Sequence, residues 1–504
     1  MKINQCTASS AAFLYKNEKN NSETSAASSV SSAAAAYPLY PVNAYHLSSK
    51  FNISFGSSFD DKKLSAFCLN LENRIKEMIT PKNKDIGQNA LTPGYIDIIN
   101  SVFKQDNIGK TAQTGISANI MLNYLAAKNQ LELDGNNTAF VIDKFSLDFL
   151  KKQGREFLLC NKYKFYCLDT NEEETEKLIK DFHNLTGGKY TVKKIIKPEG
   201  SKAADYPDAD TIKTIIKEFA EYKFKSSSER DKFIDLICKY LENSLYIFSY
   251  ASLEEKLKEH YKNIEKYVKS SGRTMDSVIY ALPEENKSYD LINYLYAKAN
   301  NIPADKFQYF SEIRDMPSSV QRNKIYAVID DICAGGESIC RNIPFMNINM
   351  KNIIIAPVVS YKTGRNSVEK NFQGLNHLNY SFIPCLEYND LGWAYHLLYY
   401  KPNYKGTEQY IKDNYNLSVN DAVFLLRNLR GGYAKTHGFV SFPYMIPDSS
   451  SEINAFIGAY CLNKDCSSAN KAVNYKEDSF CFDDKIWQYD YNSIKTRIEN
   501  SLNK

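Results

Sequence analysis

The pattern of apolar positions changes near residue 275. Before it, apolar residues recur mostly at helical spacing; after it, short apolar runs alternate with amphipathic stretches. In the first part, LSAFCLNLENRIKEMI places Phe67, Leu71, Ile75 and Ile79 on one face, the repeat of a helix with one buried side. TAFVIDKF and YKFYCLDT are strand-like runs, and the acidic helical segment NEEETEKLIKDFHNL separates the second from KYTVKKIIKP, so a small α+β unit is expected. From 209 to about 270 the chain reads as a helical connector, with an apolar stripe in DKFIDLICKYLENSLYIF and a more charged SLEEKLKEHYKNIEKYVK.

Beyond 275, DSVIYALP predicts a strand ending at Pro283, SYDLINYLYAKAN an amphipathic helix and KFQYFSEI a second strand. IYAVI follows as a third strand, ESICRNI as a short helix stopped by Pro344, and NIIIAPVVS as a fourth strand. Strands separated by helices of this length imply right-handed crossovers and a mainly parallel sheet. The expected fold class is therefore α/β, with a parallel-sheet domain preceded by a smaller α+β and helical domain. The expected boundaries are a leader at 1–57, an α+β unit at 58–208, the helical connector at 209–270, the sheet domain at 271–460 and an extension at 461–504. After 385, GWAYHLLYYKPNYKGTEQYIKDNYNL is helical in parts and FVSFPYMIP is strand-like.

Composition narrows the function. At 504 residues the chain can hold two or more domains, and 43% hydrophobic with 24% charged residues is the balance of a globular protein. The leader, rich in Ser, Ala and Asn, cannot offset the entropy of ordering and is expected to be disordered. A net charge of +4 gives no pull toward nucleic acid or anionic membrane, and the basic run VKKIIKPEGSK has no interleaved aromatics for base stacking. No apolar run approaches a membrane span, and MKINQCTASSAAFLYK lacks the apolar core of a secretory signal. The 11 cysteines are scattered without C-x2-C spacing, which reads as reduced thiols in a cytoplasmic protein. Histidines at 46, 183, 260, 377, 396 and 437 form no HExxH, and neither a P-loop nor a G-x-S-x-G elbow occurs, so no metal site is assigned.

The chemistry concentrates in IYAVIDDICAGGESICR, where an apolar strand runs into two acids and a glycine loop. Parallel sheets bind ligands beyond the carboxyl ends of their strands. Adjacent carboxylates there, Asp330 and Asp331, suit the vicinal hydroxyls of a ribose; Gly335 and Gly336 let main-chain N–H groups turn around a phosphate, with the helix from Glu337 aimed at the same anion. An ordinary strand-to-helix turn with capping acids would also place these residue types here. Glu337 also suits the first turn of a helix, and Cys333 and Cys340 suit small core fillers.

The apolar run, two acids, an apolar residue, two variable residues, then glycines and a hydroxyl resemble the binding motif for 5-phosphoribosyl 1-diphosphate (PRPP) of type I phosphoribosyltransferases. The resemblance implies that Asp330 and Asp331 face the ribose, and that Cys333, Ala334, Gly335, Gly336, Glu337 and Ser338 wrap the 5′-phosphate. It places the pyrophosphate loop at Pro283, Glu284, Glu285, Asn286, Lys287 and Ser288, with Mg2+ entering through the pyrophosphate. It implies phosphoribosyl transfer to an unidentified nucleophile, and a hood above the sheet to which Arg427, Arg430, Gly431, Gly432, Lys435 and His437 are candidates. Pro447, Asp448 and Ser449 resemble a turn near the end of several such domains. The chain departs from the pattern at Glu284 and Glu285, which would repel pyrophosphate, at Ala334, where some members carry a catalytic Asp, and at 313–324, which is short for a lid. Those departures suit a second reading, a non-catalytic phosphoribosyl-binding regulatory module. A third is a structural α/β protein without a nucleotide ligand.

Overall fold

Leu64, Cys68, Leu71 and Ile75 form the buried stripe of α1 (Asp61–Ile79), with Phe67 and Ile79 at its margin. In the computed structural model the described residues are 61–82, 139–142, 147, 164–169, 172–196, 207–283, 288–343, 352–373, 379–400, 406–429, 436–443, 446–447, 449–454 and 456–457. The expected leader and the extension at 461–504 lie outside them. The small unit is a parallel sheet, β1 (Ala139–Ile142), β2 (Lys164–Asp169) and β3 (Val192–Ile196) in that order, with α2 (Glu172–Thr186) between β2 and β3. Phe165 packs on Phe182 in its core.

Apolar spacing continues through α3 (Ala209–Lys223) and α4 (Ser227–Ser244), which bury Ile212, Ile215, Phe219, Phe233, Ile237 and Leu241 against α1. The side chain of Asp208 caps α3 by accepting from the Thr211 N–H at 2.8 Å. A two-residue strand, β4 (Tyr246–Ile247), leads to α5 (Tyr250–Ser270), which begins with a Ser249–Ser252 capping box.

The main sheet follows. Its strands are β5 (Val278–Leu282), β6 (Phe307–Tyr309), β7 (Ile325–Cys333), β8 (Ile353–Tyr361), β9 (Tyr380–Phe382) and β10 (Leu386–Tyr388). They lie in the order β10-β8-β7-β5-β6, with β9 on the same edge of β8 as β10, and every pairing is parallel. Strands β5 and β8 are buried throughout and β7 at all but Ile332, as expected of a parallel sheet covered on both faces. Helix α6 (Ser288–Asn300) joins β5 to β6 on the face that α5 covers. The remaining crossovers carry α7 (Phe310–Asp315), α8 (Ser318–Arg322), α9 (Glu337–Asn342) and α10 (Lys362–Phe372), and residues of α7, α9 and α10 share the core on the other face. The strands turn back after β6, and the helices change face with them, as a single crossover hand demands.

Two expectations need correction. KFQYFSEI is a strand only to Tyr309; the Tyr309 N–H then donates to Glu312 at 3.0 Å, and this reach-back by an acid in the first turn starts α7. Among the described residues of FVSFPYMIP the strand is confined to β11 (Val440–Ser441), which pairs with β4. Between these lie α11 (Leu391–Tyr400), α12 (Thr407–Tyr415) and α13 (Val419–Asn428), which pack Leu391, Ile411, Tyr415 and Leu425 into the helical core of α3 and α4.

Prolines end β5 and interrupt β8, and each withholds an N–H from a buried ladder. The Ile383 N–H donates to the Ile355 carbonyl at 2.8 Å, so in a parallel register the Ile383 carbonyl faces residue 357, a proline. His260 of α5, wholly buried, places Nε2 2.7 Å from that carbonyl instead. The pairing of Tyr280 with Ala327, extended by two residues, likewise aims the Ile329 carbonyl at Pro283, and Asn293 Nδ2 of α6 donates to it at 3.0 Å. Side chains complete both ladders.

Burial pushes the His260 imidazole down from 6.5 to about 4, against the pull of its bond to Ile383. The unfolded chain therefore takes up a proton near pH 6.5 that the folded chain refuses until about pH 4, so stability falls as the pH drops through that window. Urea titrations should show a loss of about 2 kcal/mol from pH 7 to pH 5 that His260→Gln removes. At pH 7, Asn293→Leu should cost about 1–3 kcal/mol by orphaning the Ile329 carbonyl, read from the same titrations.

Candidate functional site

The reversal of strand order puts a topological switch point between β5 and β7, because the connection from β5 leads to one side and that from β7 to the other. Open parallel sheets bind ligands in the crevice at such a point, outside the carboxyl ends of the strands. The two loops expected to hold the ligand leave the sheet there: one follows Leu282 at the end of β5, the other follows Cys333 at the end of β7. Pro283 is buried and Ser288 opens α6; Glu284, Glu285, Asn286 and Lys287 lie outside the described residues.

The acids sit differently from the expectation. Strand β7 does not stop at Ile329 but runs through Asp330 and Asp331 to Cys333, held by β8 through pairings of Asp330 with Pro357 and Cys333 with Ser360. Both acids are buried, at 6% and 1% exposure, so a ligand would meet them at the floor of a crevice and not on a loop. Their carboxylates turn onto adjacent main chain: Asp330 Oδ1 accepts from the Asp331 N–H at 2.9 Å, and Asp331 Oδ1 from the Ile332 N–H at 2.8 Å. The alternation of faces shifts here. Ile325, Ala327 and Ile329 belong to one core and Tyr326 and Val328 to the other, yet Ile332 packs with the first and Cys333 with the second.

The glycine loop rests on another helix, backbone to backbone. Gly336 adopts φ 74°, a left-handed conformation that a β-carbon disfavours, and caps α9. A β-carbon on it would lie 2.7 Å from the Gly364 carbonyl oxygen. One on Gly364, in the first turn of α10, would lie 2.3 Å from the Cys333 carbonyl and 2.6 Å from that of Ala334. Sequence reasoning did not single out Gly364; its only signal is a glycine just after a strand, in YKTGRN.

Within the loop, Cys333 and Ala334 are buried, Gly335 is half-buried, and Glu337 and Ser338 are exposed. Glu337 pairs with Arg341 at 2.8 Å along α9, a helix-surface pair. Burial pushes the Cys333 thiol up, and the nearby Asp330 and Asp390 add to it. Asp390, just past β10 and fully buried, was also missed: it accepts from Thr363 and from Trp393, and burial pushes its carboxyl up to about 6.

A returning segment, 436–441, crosses the carboxyl ends of β8 and β10. The Thr436 carbonyl accepts from the Gly392 N–H at 3.0 Å, the Phe439 N–H donates to Tyr388 Oη at 3.1 Å, and a β-carbon on Gly438 would fall 1.9 Å from Tyr361 Oη. Tyr240 Oη donates to the His437 carbonyl at 3.3 Å. The Ser449 carbonyl fastens the segment by accepting from Thr436 Oγ1 and from the Gly438 N–H. Of the other hood candidates, Arg427 is exposed on α13, and Arg430, Gly431, Gly432 and Lys435 lie outside the described residues. Among the described residues no three His, Cys, Asp or Glu side chains gather as a metal cage, and no helix is long and apolar enough to cross a membrane.

No curated protein and no solved structure matches the chain. The family model PRTase-CE matches residues 217–453, a span that runs from within α3 to beyond β11 and contains the whole parallel sheet with both switch-point loops. Over those residues the chain is similar to the PRTase-CE family, which supports a phosphoribosyltransferase-like domain there.

Proposed function

We propose that this domain binds PRPP, or a related ribose 5-phosphate ligand, in the crevice between β5 and β7, and transfers the phosphoribosyl group to a nucleophile with release of pyrophosphate. The observation that carries the reading is the adjacency, at the end of one strand on the switch point, of the Asp330–Asp331 pair and the Gly335–Gly336 loop. Asp330 and Asp331 would accept from the ribose 2′- and 3′-hydroxyls, and the N–H groups of 334–338 would surround the 5′-phosphate. The loop after Pro283 is the counterpart for pyrophosphate.

Transfer breaks the bond from the anomeric carbon to the pyrophosphate oxygen and forms one to the incoming nucleophile, through a ring carrying positive charge. Carboxylates fixed beneath that ring stabilise it without reorganising. The hard oxygen donors of Asp330 and Asp331 fit a Mg2+ ion that keeps its waters and binds chiefly through the ligand's phosphates. When bound, Mg2+ supplies charge neutralisation on the leaving pyrophosphate. The 11 cysteines, scattered without C-x2-C spacing, support work in a reducing compartment such as the cytoplasm.

One observation favours binding without turnover. Ala334, where some relatives of this type carry a catalytic base, packs its methyl group into the core. Calorimetry with PRPP and Mg2+ should show saturable binding that Asp330→Asn and Asp331→Asn each weaken by at least about tenfold. A pyrophosphate-release assay over a panel of bases then separates the transferase from the binding module. Wild-type protein that gives no heat and no thermal shift with PRPP and Mg2+ would sink both.

A further inference from the structure

We propose that Asp390 is a positioning residue for the 5′-phosphate loop, acting through Thr363 and Gly364; the inference rests on the reading of 333–338 as that loop. Asp390 lies two residues beyond the end of the peripheral strand β10, wholly buried, on a segment that contributes none of the residues expected to touch the ligand. Its carboxylate takes three bonds. Oδ1 accepts from the Thr363 N–H at 3.0 Å, and Oδ2 accepts from Thr363 Oγ1 at 2.6 Å and from the Trp393 N–H at 3.0 Å.

Those contacts close the first turns of two helices at once. Trp393 stands in the first turn of α11, which Asp390 caps in the ordinary way. Thr363 stands in the first turn of α10, whose own preceding residue, Tyr361, makes no side-chain cap bond. The start of α10 is therefore fixed from a strand-end residue far along the chain. An amide at this position could accept through one oxygen only, and would present its NH2 to a second donor; the three donors ask for a carboxylate.

The next residue links the clamp to the site. Gly364 touches the carbonyls of Cys333 and Ala334, and its own carbonyl abuts Gly336, so the resting place of the loop is the first turn of α10 itself. No side chain intervenes that could absorb a displacement. Tyr415 Oη donates to the Asp390 carbonyl at 2.7 Å and Tyr240 Oη accepts from the Leu391 N–H at 3.1 Å, which pins the main chain that carries the carboxylate. A slip of the clamp moves α10 and the loop together, and catalytic and binding geometry tolerates little of that.

The test compares the full-length protein with Asp390→Asn, Thr363→Val and Thr363→Ser, each assayed well below its unfolding temperature. The isosteric valine removes one hydroxyl and guards against a failure of the buried Asn variant to fold. Calorimetry with PRPP and Mg2+ should show Kd raised at least about tenfold in Thr363→Val and Asp390→Asn and restored to within about twofold in Thr363→Ser. Hydrogen exchange should quicken at 333–338 in the first two variants and stay unchanged in β5, a local response that general destabilisation would not give. Wild-type binding with equal affinity and equal loop protection in Thr363→Val and Asp390→Asn overturns the positioning role alone. Absence of binding by the wild type overturns the phosphoribosyl reading, and this role with it.

Discussion

A parallel sheet covered on both faces has no water to take up a main-chain group that the neighbouring strand fails to pair, and the rest of this structure is arranged around that constraint. Pro283 and Pro357 each leave a carbonyl facing a residue without an N–H, and the helices on the sheet are placed so that Asn293 and His260 fill the gaps. Two side chains that would otherwise be costly to bury, at 2% and 0% exposure, thus become parts of the ladder. Proline at 283 also stops β5, at the carboxyl end of the strand that borders the switch point.

Chemistry at the end of β7 follows from the same economy of space. Asp330 and Asp331 remain in the strand, and the loop after them is held by contact between main chains at Gly336 and Gly364. Such contact is possible only where side chains are absent, and it ties loop and helix more tightly than side-chain packing would. Asp390 and the 436–441 segment lie over the ends of β8 and β10. The candidate site is thus built from the chain between 278 and 449, within the span that matches the family model.

Much of this was legible in the sequence, where it depended on local pattern. The runs VIYAL, IYAVI and IIIAPVVS are apolar because both faces of the sheet are covered, and the helices between them carry their own periodicity. DDICAGGES stood out as a candidate site because acids and glycines are unusual at the end of such a run. What escaped depended on partners distant in sequence. KFQYFSEI reads as a strand, but a first-turn Glu312 captures the Tyr309 N–H and turns the chain into a helix. The strand IYAVI reads as ending at Ile329 because the pairing that carries β7 on to Cys333 is set 27 residues further on, and Gly364 and Asp390 have no local signature because their contacts exist only when β7, β8 and β10 stand side by side. Pro357 in a central strand leaves a gap in the ladder that local pattern does not explain until His260 is seen to supply the donor.

The pairing of β4 with β11 bears on how the molecule comes into being. Tyr246 donates to the Phe439 carbonyl at 2.8 Å and Phe248 to that of Ser441 at 3.0 Å, so two short segments nearly 200 residues apart in the chain are stitched together, with Ile247 and Phe439 turned into the helical core and Phe248 and Val440 into the sheet's. During synthesis the early helices must wait, with apolar flanks uncovered, until the late segment leaves the ribosome. The pairing is thus a clasp of high contact order, whose closing carries the loop-closure entropy of nearly 200 residues.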